Sequence, residues 1–299
     1  MQNSKVVFFL LFLILFFNKN LFGDELNKLE NDSFAARKRW IAAGLITQQT
    51  ASTILEYHWW WKDDYHDFRI YSDGGLNNYS LGIDKVGHFF TSYFYYHSIN
   101  ELMKYGKFSK KTRRFVSISM PAFWALSIEL GDGFSSYNFS PQDLIANLLG
   151  VGYGVLQDEF QVMNNFKFKF SYFPSQYYRD VDFKNWKFVA DYDGHMYWLT
   201  ADMHNLLSKN KRQFWPKGLN LGIAYGVDGF SEVDQLRLNT NRQIQRKFVI
   251  GLDWNLNAIQ TKKQSVKTLL KIADFVHLPA PGIRRINPDK NSGHLLLLN

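Results

Sequence analysis

The stretch LNLGIAYGV, residues 219–227, decides the fold of the second half of this chain. Apolar side chains alternate there with small or polar ones, which is the two-residue period of a β-strand with one apolar face. The stretch FVIGLDWNL, residues 248–256, repeats this alternation. The two strands are therefore predicted to pair as a hairpin, with residues 228–246 as a long connection.

Shorter elements flank this hairpin on both sides. FKFKF at residues 166–170 and the segment 186–198 are predicted as strands, and residues 295–298 as a closing strand. Residues 269–276 are predicted as a short helix that ends at Pro279-Ala280-Pro281, because proline cannot continue a helix. The second half of the chain is therefore expected to be β-rich and antiparallel.

Before residue 165, apolar residues recur every three or four positions, which predicts helices. Gly131-Asp132-Gly133 ends one of them, and Ser140-Pro141 starts the next, with serine as the N-cap and proline in the first turn. The predicted helices span residues 34–60, 84–103 (helix A), 112–129 (helix B) and 140–160 (helix C). The chain is therefore expected to have an α+β fold, in which a helical half of three or more packed helices precedes the β-rich antiparallel half.

The N-terminus has the order of a secretory signal. Lys5 stands before an unbroken apolar run at residues 6–17, and the small residue Gly23 follows it. A helix of that length reaches only about 18 Å, against the roughly 30 Å of a bilayer core, so a retained transmembrane anchor is disfavoured. The predicted organisation is a signal peptide at 1–23, a helical domain at 24–165 and a β-rich domain at 166–299.

The amino-acid composition limits which cellular compartment and which binding partners are expected. The 299 residues include no cysteine, which excludes disulfides, thiolate metal sites and an acylated N-terminal cysteine. Lys and Arg outnumber Asp and Glu by 35 to 27, and loss of Lys5 and Lys19 with the signal leaves 33 to 27. We therefore expect an exported protein, periplasmic or associated with the outer membrane. Its nearest partners there are anionic lipid or a cell-wall polymer, and nucleic acid is excluded.

Polar side chains are concentrated on helices A, B and C. Asp84 and His88 lie four residues apart on helix A, hence on one helix face, and Asp143 and Asn147 have the same spacing on helix C. Gly150 and Gly154 share that face of helix C and permit close approach of a neighbouring helix. The inward faces are expected to converge in one polar cluster, formed by Asp84, Lys85, His88, Glu129, Asp132, Asp143 and Asn147.

Three interpretations of this polar cluster remain open. It is a buried network that only sets the register of three helices, a catalytic or metal site, or a pocket for a polar head group or glycan without chemistry. In the second interpretation the catalytic candidates are Asp84, His88 and Glu129. The metal ligands would then be His88, Glu129, Asp132 and Asp143, and their nitrogen and oxygen donors favour a divalent metal as the cofactor.

A basic segment joins helices A and B. It holds six cations and no acid between residues 104 and 114: Lys104, Lys107, Lys110, Lys111, Arg113 and Arg114. One interpretation is a solvated loop. The other is a docking site on anionic lipid, in which Tyr105 and Phe108 serve as interfacial anchors.

Three motifs carry a resemblance to a known family. They are D-K-x-G-H-F-x-x-S-Y from residue 84, E-x-x-D-G from residue 129 and F-S-x-x-D-x-x-A-N-x-x-G from residue 139. Together they resemble the YfiM-like family of predicted periplasmic lipoproteins, and the similarity continues through 191–199, 219–229 and 279–281. The same motifs are more faintly similar to VanZ-like membrane proteins. The resemblance implies a periplasmic location without a known activity, and the chain departs from the lipoprotein pattern because it has no cysteine to acylate.

Two classes of function follow. The first is a non-enzymatic envelope protein, associated with a membrane, that binds lipid or cell-wall material or has a structural role. The alternative is a metal-assisted hydrolase or transferase that acts on an envelope substrate. The sequence fixes neither the substrate nor the oligomeric state.

Overall fold

A computed structural model describes residues 12, 22, 32–180, 187–230, 243–286 and 290–297. The predicted signal peptide at 1–23 lies outside these residues except for Phe12 and Phe22, so its cleavage stays a prediction. The domain boundaries at 24–165 and 166–299 likewise stay a prediction.

The predicted α+β fold is confirmed: long helices come first and an antiparallel sheet follows. The described helices are α1 (Ala35–Glu56), α2 (Ile83–Tyr105), α3 (Lys110–Gly133), α4 (Pro141–Glu159), α5 (Gln176–Asp180), α6 (Met203–Leu206), α7 (Lys209–Arg212) and α8 (Gln264–Ala273). The strands are β1 (Phe166–Tyr172), β2 (His195–Ala201), β3 (Leu219–Asp228), β4 (Gln245–Trp254), β5 (Ala280–Ile286) and β6 (Lys290–Leu297). Helices A, B and C correspond to α2, α3 and α4. Among the described residues, no helix is both long and apolar enough to cross a bilayer.

The chain divides into two compact units. The first comprises residues 1–73 and 91–155, and the second comprises residues 74–90 and 156–299. Each unit has its own core.

The core of the first unit lies between α1, α2 and α3. Its buried members include Leu45 of α1, Ile99 and Met103 of α2, and Val116 and Met120 of α3. These residues follow the three- and four-residue spacing that predicted the helices, because that spacing keeps apolar side chains on one face. Helix α3 ends at Gly133 rather than near residue 129, so Asp132 lies in its last turn and not in the following loop.

Gly154 of α4 permits the close helix contact that the sequence predicts. A β-carbon on Gly154 would lie 2.4 Å from a ring carbon of Tyr96 on α2, whereas one on Gly152 would meet no other packed group of the described residues within 4 Å. We expect Gly154→Ala to lower the free energy of unfolding by about 1–3 kcal/mol through overpacking. The matched change Gly152→Ala is expected to raise it by about 0.5–1 kcal/mol through helix propensity. Thermal unfolding of both variants tests this, and equal shifts of the same sign would contradict it.

The sheet of the second unit has the strand order β1-β2-β3-β4-β5-β6, with every neighbouring pair antiparallel. The predicted hairpin is confirmed, since β3 and β4 pair from Leu219 opposite Trp254 to Asp228 opposite Gln245. Strand β5 is a correction, because it begins at the Pro279-Ala280-Pro281 segment that was predicted to be only a stop signal. The register of β5 and β6 shifts between Ala280 and Gly282, and proline is tolerated in strands at such irregularities.

The two faces of the sheet differ in polarity. One face carries buried polar groups of β1, β3 and β4: Lys169, Asn220, Lys247 and Asp253. The other face is mainly apolar, with Arg246 and Arg285 exposed at one end of it. Its part on β1, β2 and the far end of β3 packs against residues 81–90, and Ile83 and Phe90 contact the cluster around Tyr197.

Candidate functional site

Asp84 is held at the start of α2 by the turn that precedes it, within the second unit. Its carboxylate accepts hydrogen bonds from Asn78 Nδ2 at 2.9 Å and Ser80 Oγ at 2.7 Å, and forms an ion pair with Lys85 Nζ at 2.8 Å. Asn78 Oδ1 in turn accepts from the backbone N–H groups of Ser80 and Gly82. Asp84 therefore fastens this turn to the helix, and its hydrogen bonds come from these neighbours rather than from His88.

Glu129 and Asn147 have positioning contacts within the first unit. Glu129 is 1% exposed, and its Oε2 accepts a hydrogen bond from the backbone N–H of Ser140 at 3.0 Å. Ser140 is the predicted N-cap, since its Oγ accepts from the backbone N–H of Asp143 at 3.2 Å. Asn147 Oδ1 accepts from Ser92 Oγ of α2 at 2.7 Å. Glu129 thus holds the start of α4 in place, and Asn147 determines which face of α4 is turned toward α2.

Asp132 lies among acidic groups of the first unit. Its Oδ1 accepts a hydrogen bond from Trp61 Nε1 at 2.7 Å. The pKa of Asp132 is raised from 3.8 to about 7 in total: burial raises it most, the hydrogen bond from Trp61 lowers it, and the charge of Asp143 raises it.

Glu56, at the end of α1, joins this group although the sequence did not single it out. The pKa of Glu56 is raised from 4.5 to about 7 in total: burial raises it most, the hydrogen bond from Trp124 lowers it, and the charge of Asp132 raises it. Its Oε1 accepts a hydrogen bond from Trp124 Nε1 at 2.8 Å. No sequence motif surrounds Glu56, and the run of aromatic residues that follows it was the one signal of burial at this helix end.

Four carboxylates of the first unit form a group that we call the acidic cluster: Glu56, Glu129, Asp132 and Asp143. The charge of Asp132 acts on Glu56, the charge of Asp143 acts on Asp132, and a carboxylate oxygen of Glu129 lies within 4.8 Å of one of Asp143. Two of its members, Glu56 and Asp132, have pKa values raised to about 7, which is the property of a general acid or base. Buried structural networks shift pKa values in the same way, so this property does not identify a reaction. The metal set of His88, Glu129, Asp132 and Asp143 stays a prediction, as do the catalytic roles of Asp84, His88 and Glu129.

Elemental analysis of the purified protein tests the metal prediction. Stoichiometric metal that is lost in a folded His88→Ala variant would support the metal-assisted hydrolase or transferase. Metal-free protein whose melting temperature falls on the same change would support a structural network instead.

The loop within the basic segment is shorter than the sequence predicted, because both of its ends belong to helices. Lys104 lies in α2 and pairs with Glu101 at 2.7 Å, and α3 begins at Lys110. Phe108 is 6% exposed in the full chain and its ring lies 6.3 Å from that of Phe22, a residue of the predicted signal peptide, so its role as a lipid anchor stays a prediction. The lipid-binding role of the six cations stays a prediction.

Comparison with known proteins gives one family match. Residues 74–159 match the family model described as "Predicted periplasmic lipoprotein (DUF2279)". No curated protein and no solved structure gives a significant match. The matched range contains all three motifs, whereas the wider similarity through 191–281 lies outside it and the fainter VanZ-like similarity is not shown. An exported, periplasmic location agrees with the family description. The family resemblance is thereby confirmed: residues 74–159 of this chain match a family of predicted periplasmic lipoproteins of unknown function.

Proposed function

We propose that this protein is a non-enzymatic envelope protein that binds the surface of an anionic phospholipid membrane through one face of its sheet. The main observation in support of this proposal is that large apolar side chains are exposed on β3, β4, β5 and β6. This membrane-binding face is formed by Leu221, Ile223, Phe248, Ile250, Trp254, Ile283 and Leu295.

The strand register supports a continuous apolar surface. Ile223 lies opposite Ile250, and Ile250 lies opposite Ile283, so three isoleucines form one row across three strands. Ile250 and Ile283 are each 62% exposed, and Leu295 is 84% exposed. Contiguous exposed apolar surface of this kind is typical of a membrane or protein contact rather than of a solvated face.

Charge favours an anionic membrane as the occupant. Arg246 and Arg285 lie exposed at one end of the same face: Arg285 is the partner of Phe248 in the strand register, and Arg246 precedes Phe248 by two residues on β4. Cations beside aromatic and aliphatic side chains are the combination that binds anionic lipid surfaces. The excess of basic residues over the whole chain, 35 against 27, acts in the same direction.

Flotation with vesicles of phosphatidylglycerol and phosphatidylethanolamine tests this proposal. We expect wild-type protein to float with the vesicles, and the double change Ile250→Asn, Ile283→Asn to weaken partitioning at least tenfold, since it removes two exposed apolar side chains from the contact. Phe214→Asn is the matched control, because Phe214 is 80% exposed but lies outside the sheet.

Three results would overturn the proposal. They are wild-type protein that stays in the soluble fraction, a double variant that floats as well as wild type, and equal loss with the Phe214→Asn control. Sedimentation velocity adds a fourth: a wild-type dimer that the double change converts to monomer, without vesicle binding, would assign the face to a second copy.

A further inference from the structure

A second candidate binding site lies on the opposite, polar face of the sheet. It is a cavity of about 260 Å³ in the second unit, bounded by α5, β3, β4 and β5. Its charged lining comprises Arg179, Asp193, Asp228, Lys247 and Arg284. Three cations thus face two acids, and the local charge is positive.

Lys247 is the group that distinguishes this cavity. It is 3% exposed, and its Nζ donates to the backbone O of Asp193 at 3.0 Å. Among the described residues this is its one hydrogen bond, although an ammonium group carries three donors. Gly226 lies opposite Lys247 in the strand register, and a β-carbon there would come within 3.2 Å of Lys247 Cε. The absent side chain therefore leaves room for the lysine.

One of the two acids of the cavity, Asp193, is already engaged by the protein. Asp193 Oδ1 accepts a hydrogen bond from the backbone N–H of Phe230 at 2.8 Å, so it helps to fix the turn after β3. Burial lowers the pKa of Lys247, while Asp193 and Asp228 raise it. A buried cation with unused donors is costly unless a further acceptor reaches it.

We infer that this cavity binds a phosphate group, with Lys247 and Arg284 as the donors. Phosphate oxygens supply the acceptors that the ammonium of Lys247 lacks among the residues the structure describes, and a guanidinium binds phosphate by paired hydrogen bonds. The phosphate belongs either to a free small anion or to a lipid head group. The site does not depend on the membrane-binding face, because the two lie on opposite faces of the sheet.

Isothermal titration calorimetry of the full chain tests this inference with two probes, inorganic phosphate and glycerophosphoethanolamine. We expect saturable binding of at least one probe, weakened more than tenfold by Lys247→Met and unchanged by Lys267→Met, which alters an exposed lysine of α8. Tighter binding of the second probe would assign the site to a lipid head group, and tighter binding of phosphate to a free anion.

Arg284→Gln keeps the test decisive if Lys247→Met does not fold, because Arg284 is only partly buried. It is expected to weaken binding of the same probe. The inference is overturned if folded wild-type protein binds neither probe, or if both cavity variants bind as tightly as wild type.

Discussion

Replacing Lys169 by alanine is expected to lower the free energy of unfolding by about 3–5 kcal/mol. The Lys169 side chain is fully buried on β1, and its Nζ lies 2.8 Å from Asp253 Oδ2, 2.9 Å from Asp274 Oδ1 and 2.8 Å from Trp254 O. Three acceptors therefore use all three donors of the ammonium group. Removal of the cation leaves the buried carboxylates of Asp253 and Asp274 without it. Asp274 keeps its ion pair with Lys167, so the uncompensated charge falls on Asp253, and an uncompensated buried charge is strongly destabilising.

The contacts around Asp253 explain why its carboxylate cannot rearrange to reduce the loss of stability in Lys169→Ala. Asp253 is also bound to His277 Nδ1 at 3.0 Å and to Asn220 Nδ2 at 2.9 Å, and the His277 ring stacks on Trp198 with centroids 3.6 Å apart. These contacts hold the carboxylate in place, so it cannot turn toward water when the lysine is removed.

Urea-induced unfolding of Lys169→Ala, Asp253→Asn and the double variant measures this effect. The double variant is expected to lose less than the sum of the single losses, because the buried cation and anion are removed together. Lys262→Ala, at an exposed position, is the control and is expected to change stability by less than about 0.5 kcal/mol. A loss below 1 kcal/mol for Lys169→Ala, or strict additivity, would show that the network is not structural.

The variant Glu56→Gln is expected to change how stability depends on pH. The pKa of Glu56 is raised from 4.5 to about 7 in the folded protein, chiefly by burial. Between these pH values the folded state retains a proton that the unfolded state has released, so stability falls as the pH rises through this window. Each unit of pKa difference corresponds to about 1.4 kcal/mol, which gives a loss of about 3 kcal/mol by pH 8.

Glutamine keeps the shape of the side chain without the charge, so Glu56→Gln is expected to be about as stable as wild type at pH 4 and about 3 kcal/mol more stable at pH 8. Urea unfolding of both proteins at several pH values measures this difference. His195 gives the opposite trend, because burial lowers its pKa to about 4, but it is present in both proteins and cancels. Parallel pH curves for wild type and variant would contradict the prediction, and the exposed change Glu159→Gln is the control.

The spacing of apolar residues along the sequence predicted most of the helices and strands. Helices α1 to α4 and strands β1, β3 and β4 follow from periods of 3.6 and 2, because a one-sided core requires apolar residues at those periods. Strand β5 was missed for a physical reason. Pro281 gives a local signal against strand pairing, and the register shift beside it, which needs the partner strand β6, accommodates the proline.

For the candidate site too, some features could be predicted from the sequence and others required the tertiary structure. The sequence by itself determined which polar residues share a helix face, as with Asp143 and Asn147, and where helices begin, as at Ser140, because both properties depend on neighbours along the chain. Only the tertiary structure decided that Glu56 lies near Asp132, that Phe108 is buried, and that Lys247 reaches a cavity. Those outcomes depend on which distant segments exclude water from a side chain, and no local pattern encodes that.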